Sequence, residues 1–126
     1  NAAYRGARII VVEAVPYRVE RAKALGAEIV LDPQDPDLVV KIKDLTDGVG
    51  VDKALDCSGT VQAHRTCIEA TRRRGQVAFV GECSAETIIR VSPDLIRKGL
   101  TAHGSWHYNL SLFTGHSEIA RREPTC

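Results

Sequence analysis

Charged side chains at the end of a strand-like run are the first residues whose types and spacing could do chemistry. The β-branched run at residues 7–13 ends in Glu13, and Arg18 follows five residues later. In an open parallel sheet, ligands bind outside the carboxyl ends of the strands. A carboxylate there accepts hydrogen bonds from the two adjacent hydroxyls of a ribose and repels a phosphate on the 2′ position. Glu13 and Arg18 are therefore candidate ribose ligands, although a solvated acid and a surface arginine would account for the same residues.

Three more strand ends carry residues suited to a flat ligand. They are Asp-Cys-Ser-Gly-Thr at 56–60, Val-Gly-Glu at 80–82 and Gly-Ser-Trp-His-Tyr at 104–108. A glycine lets the backbone approach a ligand closely, but a tight strand-to-helix turn would explain Gly59 almost as well. Packing at the sheet end would likewise explain Trp106. His107 has no acid or nucleophile at a telling spacing, so we assign it no role as a catalytic base.

The motifs that would mark other chemistries are absent from the sequence. There is no Gly-x-Ser-x-Gly nucleophile elbow and no Gly-x-Gly-x-x-Gly phosphate loop. The four cysteines form no Cys-x-x-Cys pair, and the four histidines do not stand at zinc-ligand spacing beside them. The sequence therefore predicts neither a metal site nor a catalytic residue within this chain.

A regular alternation of strands and helices must position these residues. Strand-like runs begin at residues 7, 29, 51, 76 and 100, so the intervals are 22, 22, 25 and 24 residues. Parallel strands need a crossover of about a dozen residues, which is usually helical. Apolar spacing predicts four helices. One begins at Pro16, one lies between Pro36 and Gly48, one spans residues 61–74, and one follows an N-cap at Ser92. This pattern predicts an α/β three-layer sandwich with a mostly parallel sheet.

Composition excludes several classes of protein. The 126 residues carry 17 Lys and Arg against 16 Asp and Glu, a net charge of +1, which argues against a partner with a strong negative charge such as a nucleic acid or a membrane. With 44% hydrophobic and 26% charged residues, the chain has the composition of a globular domain. No apolar run approaches the ~18 residues of a membrane span. Because no secretory leader begins the sequence, we expect a cytoplasmic protein.

The motifs in combination resemble the cofactor domain of the zinc-dependent medium-chain alcohol dehydrogenases. The matching segments are 6–13, 18–27, 48–52, 55–59, 74–77 and 98–101. The stretch 100–109 is most similar to the polyol and sugar dehydrogenase branch. The resemblance covers residues 1 to about 112 and implies a Rossmann-like fold that binds NAD. It also implies an alcohol or polyol substrate, whose oxidation transfers a hydride to NAD.

The resemblance also assigns roles by position. It implies that Glu13 binds the adenosine ribose, with the basic residue Arg18 beside it. The backbone around Cys57 and Ser58, with Gly59 beside them, would flank the adenine and nicotinamide side of the cofactor cleft. Val80 and Gly81 would line the nicotinamide pocket, and main-chain groups of Ser105 and His107 would bind the carboxamide.

Several parts of that family are expected to lie outside this chain. The resemblance implies zinc ligands in a preceding domain, and a first strand with its glycine-rich loop before residue 1. Residues 1–112 would then form a partial NAD-binding domain, truncated at the N-terminus, with a flexible tail at 113–126. Segment 87–91 matches an edge strand that pairs two subunits into a homo-oligomer.

The missing strand would be the central one of the sheet. We therefore expect its two neighbours, which begin at residues 7 and 51, to lack a partner on one side. We also expect that the isolated chain is marginally stable, or that it closes the gap by direct pairing, by swapping or through neighbouring molecules. NAD binding should be weak or undetectable, with no turnover, because the phosphate cradle is missing.

Two other functions remain open at this stage. An S-adenosylmethionine-dependent methyltransferase also places an acid after its second strand, but its last strand is antiparallel. A non-catalytic nucleotide-binding or dimerisation module could be built from the same half of a dehydrogenase.

Overall fold

The computed structural model describes residues 2–106, which form two compact units, 2–31 (unit 1) and 32–106 (unit 2). His107 and the predicted tail at 113–126 lie outside the described residues. Unit 1 contains a 3-10 turn (Ala3–Arg5), β1 (Ile10–Val12), α1 (Pro16–Ala24) and β2 (Ile29–Leu31). Unit 2 contains α2 (Leu38–Asp44), β3 (Val51–Asp56), α3 (Val61–Ala70), β4 (Thr71–Phe79), a π-helical turn (Val91–Ile96) and β5 (Thr101–Gly104).

Unit 1 is a strand–helix–strand unit with two parallel strands. Its register pairs Ile10 with Ile29 and Val12 with Leu31. Pro16 occupies the first turn of α1, as its fixed φ favours. No described residue of this unit is buried, and Val12 is 38% exposed. A nearly continuous β-branched run such as residues 7–13 predicts a strand buried on both faces, and that prediction is wrong for the described residues.

Unit 2 carries the hydrophobic core. Its three strands are parallel in the order β3-β4-β5. The buried apolar side chains come from α2, α3 and β4, and they are Leu38, Ile42, Ile68, Ala70 and Val77. Because β5 runs parallel to β4, residues 2–106 do not form the antiparallel last strand that a methyltransferase requires.

The described strands form two separate sheets. Among the described strands, β1 pairs only with β2, and β3 pairs only with β4. These are the two strands predicted to flank an absent central strand. Each has one ladder partner, as that prediction requires.

The predicted helix over residues 61–74 ends early, at Ala70. Thr71 takes an extended conformation, and its hydroxyl donates to the Cys67 carbonyl at 2.6 Å. Lys98 Nζ donates to the carbonyls of Ile68 (2.5 Å) and Thr71 (2.7 Å). These side chains satisfy the last carbonyls of α3, which therefore ends four residues before the predicted end of the helix.

One prediction for residues 87–98 is also wrong. Ser92 does not cap a helix. Instead the π-helical turn begins at Val91, and the buried Asp94 carboxylate accepts the Arg90 N–H at 2.8 Å. Segment 87–90 pairs with no strand of the described chain, so its pairing with a second subunit stays a prediction. Side chains of α3 contact the segment: the Arg65 guanidinium donates to the Ile88 carbonyl at 3.0 Å. No helix of the described residues is long and apolar enough to cross a membrane.

Candidate cofactor site

Glu13 lies at the carboxyl end of β1. Its N–H donates to the Leu31 carbonyl at 3.0 Å and so continues the ladder one residue beyond the strand. The next residues leave the sheet and enter α1. Glu13 therefore occupies the strand end from which a carboxylate can reach a ligand.

The two carboxylate oxygens of Glu13 have different partners. Oε1 accepts the N–H groups of Ala14 (2.9 Å) and Val15 (3.0 Å), which uses both of its lone pairs. Oε2 lies 3.6 Å from an Nη atom of Arg18. The hydrogen bond from Val15 is the largest cause of the lowered pKa of Glu13, and the Arg18 charge lowers that pKa further. The side chain is therefore ionised at neutral pH. We call Oε2, the oxygen on the side of the mostly exposed Arg18, the outward oxygen.

Arg18 stands in the first turns of α1, within reach of that outer oxygen. Its side chain is 68% exposed, against 23% for Glu13. An ion pair this open and this long contributes little to stability. The sequence analysis paired Glu13 with Arg18, and the fold places the two residues side by side. The stability of the fold does not depend on this pair.

The second group of predicted residues lies in unit 2, on two turns that follow neighbouring strands. Residues 57–59 follow β3 and residues 80–82 follow β4, and we call them the paired turns. Val80 and Gly81 donate their N–H groups to the Asp56 carbonyl at 2.9 and 3.1 Å. A Cβ on Gly81 would come within 2.1 Å of the Gly59 nitrogen. The two backbones therefore touch, and only glycine fits at the point of contact.

The remaining predicted residues differ in their exposure and in their hydrogen bonds. Cys57 is exposed, and partial desolvation together with the neighbouring Asp56 charge raises the pKa of its thiol. Val80 is 43% exposed and offers an apolar surface. The Ser105 N–H already donates to the Phe79 carbonyl at 2.9 Å, which removes one of the main-chain groups predicted to bind a carboxamide. His107 lies outside the described residues.

Sequence reasoning assigned no role to Asp56, which the structure places under the paired turns. The residue is 3% exposed, and its Oδ1 accepts the Ser58 N–H at 3.0 Å and the Ser58 hydroxyl at 2.8 Å. The available signal was the Asp-x-Ser-Gly pattern, because an aspartate often binds the N–H two residues later in a turn. In the described part of the chain, no group of three His, Cys, Asp or Glu could hold a metal ion.

Comparison with known proteins identifies the family. The model of the zinc-binding dehydrogenase family matches residues 1–121. A probable alcohol dehydrogenase of a Pseudomonas species is 42% identical over 99 residues, covering 77% of this chain and 31% of the relative. A sorbitol dehydrogenase of Halalkalibacterium halodurans is 35% identical over 88 residues, covering 70% and 26%. A crystal structure described as an NAD-dependent alcohol dehydrogenase superposes with a TM-score of 0.83 at 28% identity, covering 94% of this chain and 34% of that one.

These matches agree in their extent. The chain spans about a third or less of the length of each of these relatives. The Rossmann-type fold follows from the superposition, and the family follows from the sequence match. This chain belongs to the zinc-binding dehydrogenase family and corresponds to the nucleotide-binding part of its members.

Proposed function

We propose that this chain is the NAD-binding part of a cytoplasmic enzyme that oxidises an alcohol or a polyol. The observation that carries the proposal is the outward oxygen of Glu13 at the end of β1. Bound NAD would accept the hydride that leaves the alcohol carbon. Unit 1 carries the residues proposed for the adenosine end, and unit 2 carries those proposed for the nicotinamide end.

The adenosine end would be held by Glu13. Oε1 is saturated by two backbone N–H groups, so Oε2 is the acceptor that a ribose hydroxyl would meet. The lowered pKa keeps that acceptor charged. Because a 2′-phosphate would lie against a negative charge, the arrangement favours NAD over NADP. Arg18, mostly exposed beside it, would lie along the same sugar.

The nicotinamide end would be held by the paired turns. Contact between Gly59 and Gly81 removes side chains where a flat ring must approach, and Val80 supplies an apolar wall. Cys57, Ser58 and Ser105 border the same strand ends, as would His107. These groups would exclude water and fix the face of the ring.

The substrate class rests on the relatives. The sorbitol dehydrogenase and the probable alcohol dehydrogenase act, by their names, on hydroxyl compounds. Family membership implies zinc, but the described residues contain no ligand group that fits it. We therefore assign no step of the reaction to zinc ligands in this chain.

The proposal is tested by substituting the outward oxygen of Glu13. Glu13→Gln keeps an acceptor for the Ala14 and Val15 N–H groups but replaces the other oxygen with a donor. We expect it to weaken the binding of adenosine 5′-monophosphate about tenfold, the effect of one lost hydrogen bond to a charged group. Glu13→Arg should reverse the preference between this nucleotide and its 2′-phosphorylated form. Amide shifts in nuclear magnetic resonance (NMR) spectra, recorded with millimolar nucleotide, would measure both effects.

Glu20→Gln on the exposed face of α1 is the matched control, since it makes the same chemical change away from the strand end. It should leave nucleotide affinity unchanged. Equal affinities for the unsubstituted chain and both Glu13 variants would contradict the proposal.

We further propose that the protein is a homo-oligomer that associates through residues 87–91. Ile88 is 76% exposed and Val91 is 59% exposed, and an exposed apolar segment without a ladder partner is suited to pairing with a second copy. Sedimentation should show a dimer that Ile88→Lys dissociates. A monomer at all concentrations would refute this part of the proposal.

A further inference from the structure

The Asp56 carboxylate is hydrogen-bonded throughout the first of the paired turns. Besides the two bonds from Ser58 to Oδ1, the Gly59 N–H lies 3.2 Å from Oδ2 and 3.3 Å from Oδ1. The side chain is almost completely buried, so water cannot replace these bonds at low cost. The conformation of residues 57–59 therefore depends on one carboxylate.

The main chain of Asp56 fixes the second turn. Its carbonyl accepts the N–H groups of both Val80 and Gly81. The two turns also touch directly, because a Cβ on Gly59 would lie 2.2 Å from the Glu82 carbonyl oxygen. A change at residue 56 is therefore passed to both sides of the predicted nicotinamide pocket.

His64 on α3 lies next to the Asp56 carboxylate. Its Nε2 is buried and lies 3.2 Å from Asp56 Oδ2, and its ring packs edge-on against Phe79 with 5.1 Å between centroids. The Thr87 hydroxyl lies 2.7 Å from Nδ1. If that hydroxyl donates, the imidazole proton is on Nε2, which lies beside the carboxylate without a hydrogen bond to it. The group that orients the turns is thus itself oriented by α3 and by residue 87.

We propose that Asp56, supported by His64, is a positioning residue that holds the paired turns in the shape that accepts the nicotinamide end of the cofactor. This inference rests on the proposed function, but it concerns a residue that touches no part of the cofactor. It predicts that loss of the carboxylate weakens binding of the nicotinamide half of NAD and leaves binding of the adenosine half unchanged.

The two halves can be tested as separate molecules. Nicotinamide mononucleotide probes the paired turns, and adenosine 5′-monophosphate probes Glu13. Asp56→Asn keeps the size of the side chain but replaces one acceptor oxygen with a donor. We expect it to weaken the mononucleotide about tenfold or more, as one lost hydrogen bond to a charged group does, and to leave the adenosine nucleotide unchanged. Glu13→Gln should show the opposite selectivity.

Asp94→Asn is the matched control, because Asp94 is also a buried carboxylate of unit 2, at 4% exposure, and lies on the π-helical turn. It should lower stability without selective loss of either nucleotide. Amide hydrogen exchange gives a readout that needs no ligand: Ser58, Gly59 and Gly81 should exchange faster in Asp56→Asn, while Val77 in β4 stays protected. Should Asp56→Asn fail to fold, His64→Leu is expected to show the same selectivity at about threefold.

Each outcome decides a different statement. Equal protection of the paired turns in Asp56→Asn and the unsubstituted chain would overturn the inference. Equal weakening of the mononucleotide by Asp56→Asn and Asp94→Asn would overturn it as well, because the effect would then be general destabilisation. If the unsubstituted chain binds neither nucleotide, the proposed function is contradicted, and hydrogen exchange alone decides whether Asp56 orders the turns.

Discussion

Among single residues, the two buried aspartates of unit 2 have different partners and different consequences. Asp56 is satisfied mainly by N–H groups of its own turn, with one histidine beside it. Asp94 instead accepts the Arg65 guanidinium at 2.6 and 3.3 Å, and Arg65 also pairs with Glu69 at 2.7 Å. The hydrogen bond from Arg65 is the main reason that the pKa of Asp94 falls from 3.8 to about 2. Asp94 thus links α3 to the π-helical turn through charge.

This ion pair predicts a pH-dependent stability. A carboxyl group with a lowered folded-state pKa stabilises the fold above its unfolded pKa and loses that contribution as pH falls through the folded value. Asp94 should therefore stabilise unit 2 fully above about pH 4, and this contribution should be lost towards pH 2. Asp94→Asn should cost about 2–4 kcal/mol at neutral pH, since it leaves the Arg65 charge without its closest partner.

Urea unfolding of the unsubstituted chain and of Asp94→Asn between pH 2 and 7 measures this contribution to stability. The difference between their free energies of unfolding should shrink as the solution is acidified. A difference that stays constant over this range would show that Arg65 and Asp94 contribute no charge-dependent stability.

Sequence reasoning located the exposed site residues better than the buried ones. Glu13 and Arg18 could be placed because strand ends and helix starts follow from local patterns. The contact between Asp56 and His64 could not, because it depends on the angle at which α3 packs over β3. The role of Asp94, which accepts the Arg90 N–H, was not predicted because Ser92 looks like a better cap in the sequence.

At the level of elements, the paired turns give a prediction about glycine. Gly59 has φ +64° and Gly48 has φ +77°, so alanine is strained at both positions. They differ in space: a Cβ at Gly48 meets nothing within 4 Å, whereas one at Gly59 overlaps the Glu82 carbonyl oxygen at 2.2 Å. Gly48→Ala should cost about 1 kcal/mol, the strain alone. Gly59→Ala should cost about 3 kcal/mol, because a backbone must also move.

Thermal or urea unfolding of the two variants, monitored by circular dichroism, provides the measurement. Gly48→Ala is the internal control for the backbone conformation. Equal losses of stability in the two variants would mean that the turns are not in contact in solution.

The elements themselves were largely predictable, and their ends were not. The interval of 22 to 25 residues between strand-like runs indicated parallel strands with helical crossovers, and all five strands are found. The end of α3 depends on Lys98, which comes from 28 residues later in the chain than Ala70 and binds carbonyls of α3. Residues 87–90 have the apolar composition of a strand, but a strand needs a ladder partner, and α3 side chains bind the segment instead.

In the molecule as a whole, the parallel strands are divided between two sheets, and the buried core belongs to one unit. Every buried apolar side chain among the described residues lies between Leu38 and Val77. Unit 1 has a two-stranded ladder and one helix, with no buried residue described. An isolated pair of strands is marginally stable in water, and a third strand or a packed face is normally needed.

We therefore predict that the chain does not unfold in one step. Hydrogen exchange measured at increasing urea should show amides of β1 and β2 opening with a free energy at least about 2 kcal/mol lower than that of Val77 in β4, because local stability follows buried contacts. Asp94→Asn should lower the opening free energy in unit 2 and leave that of unit 1 unchanged. The difference between the opening free energies of the two units should therefore become smaller. If all these amides share one opening free energy, and Asp94→Asn lowers it throughout, the two units fold as a single cooperative structure and the separation inferred from burial is wrong.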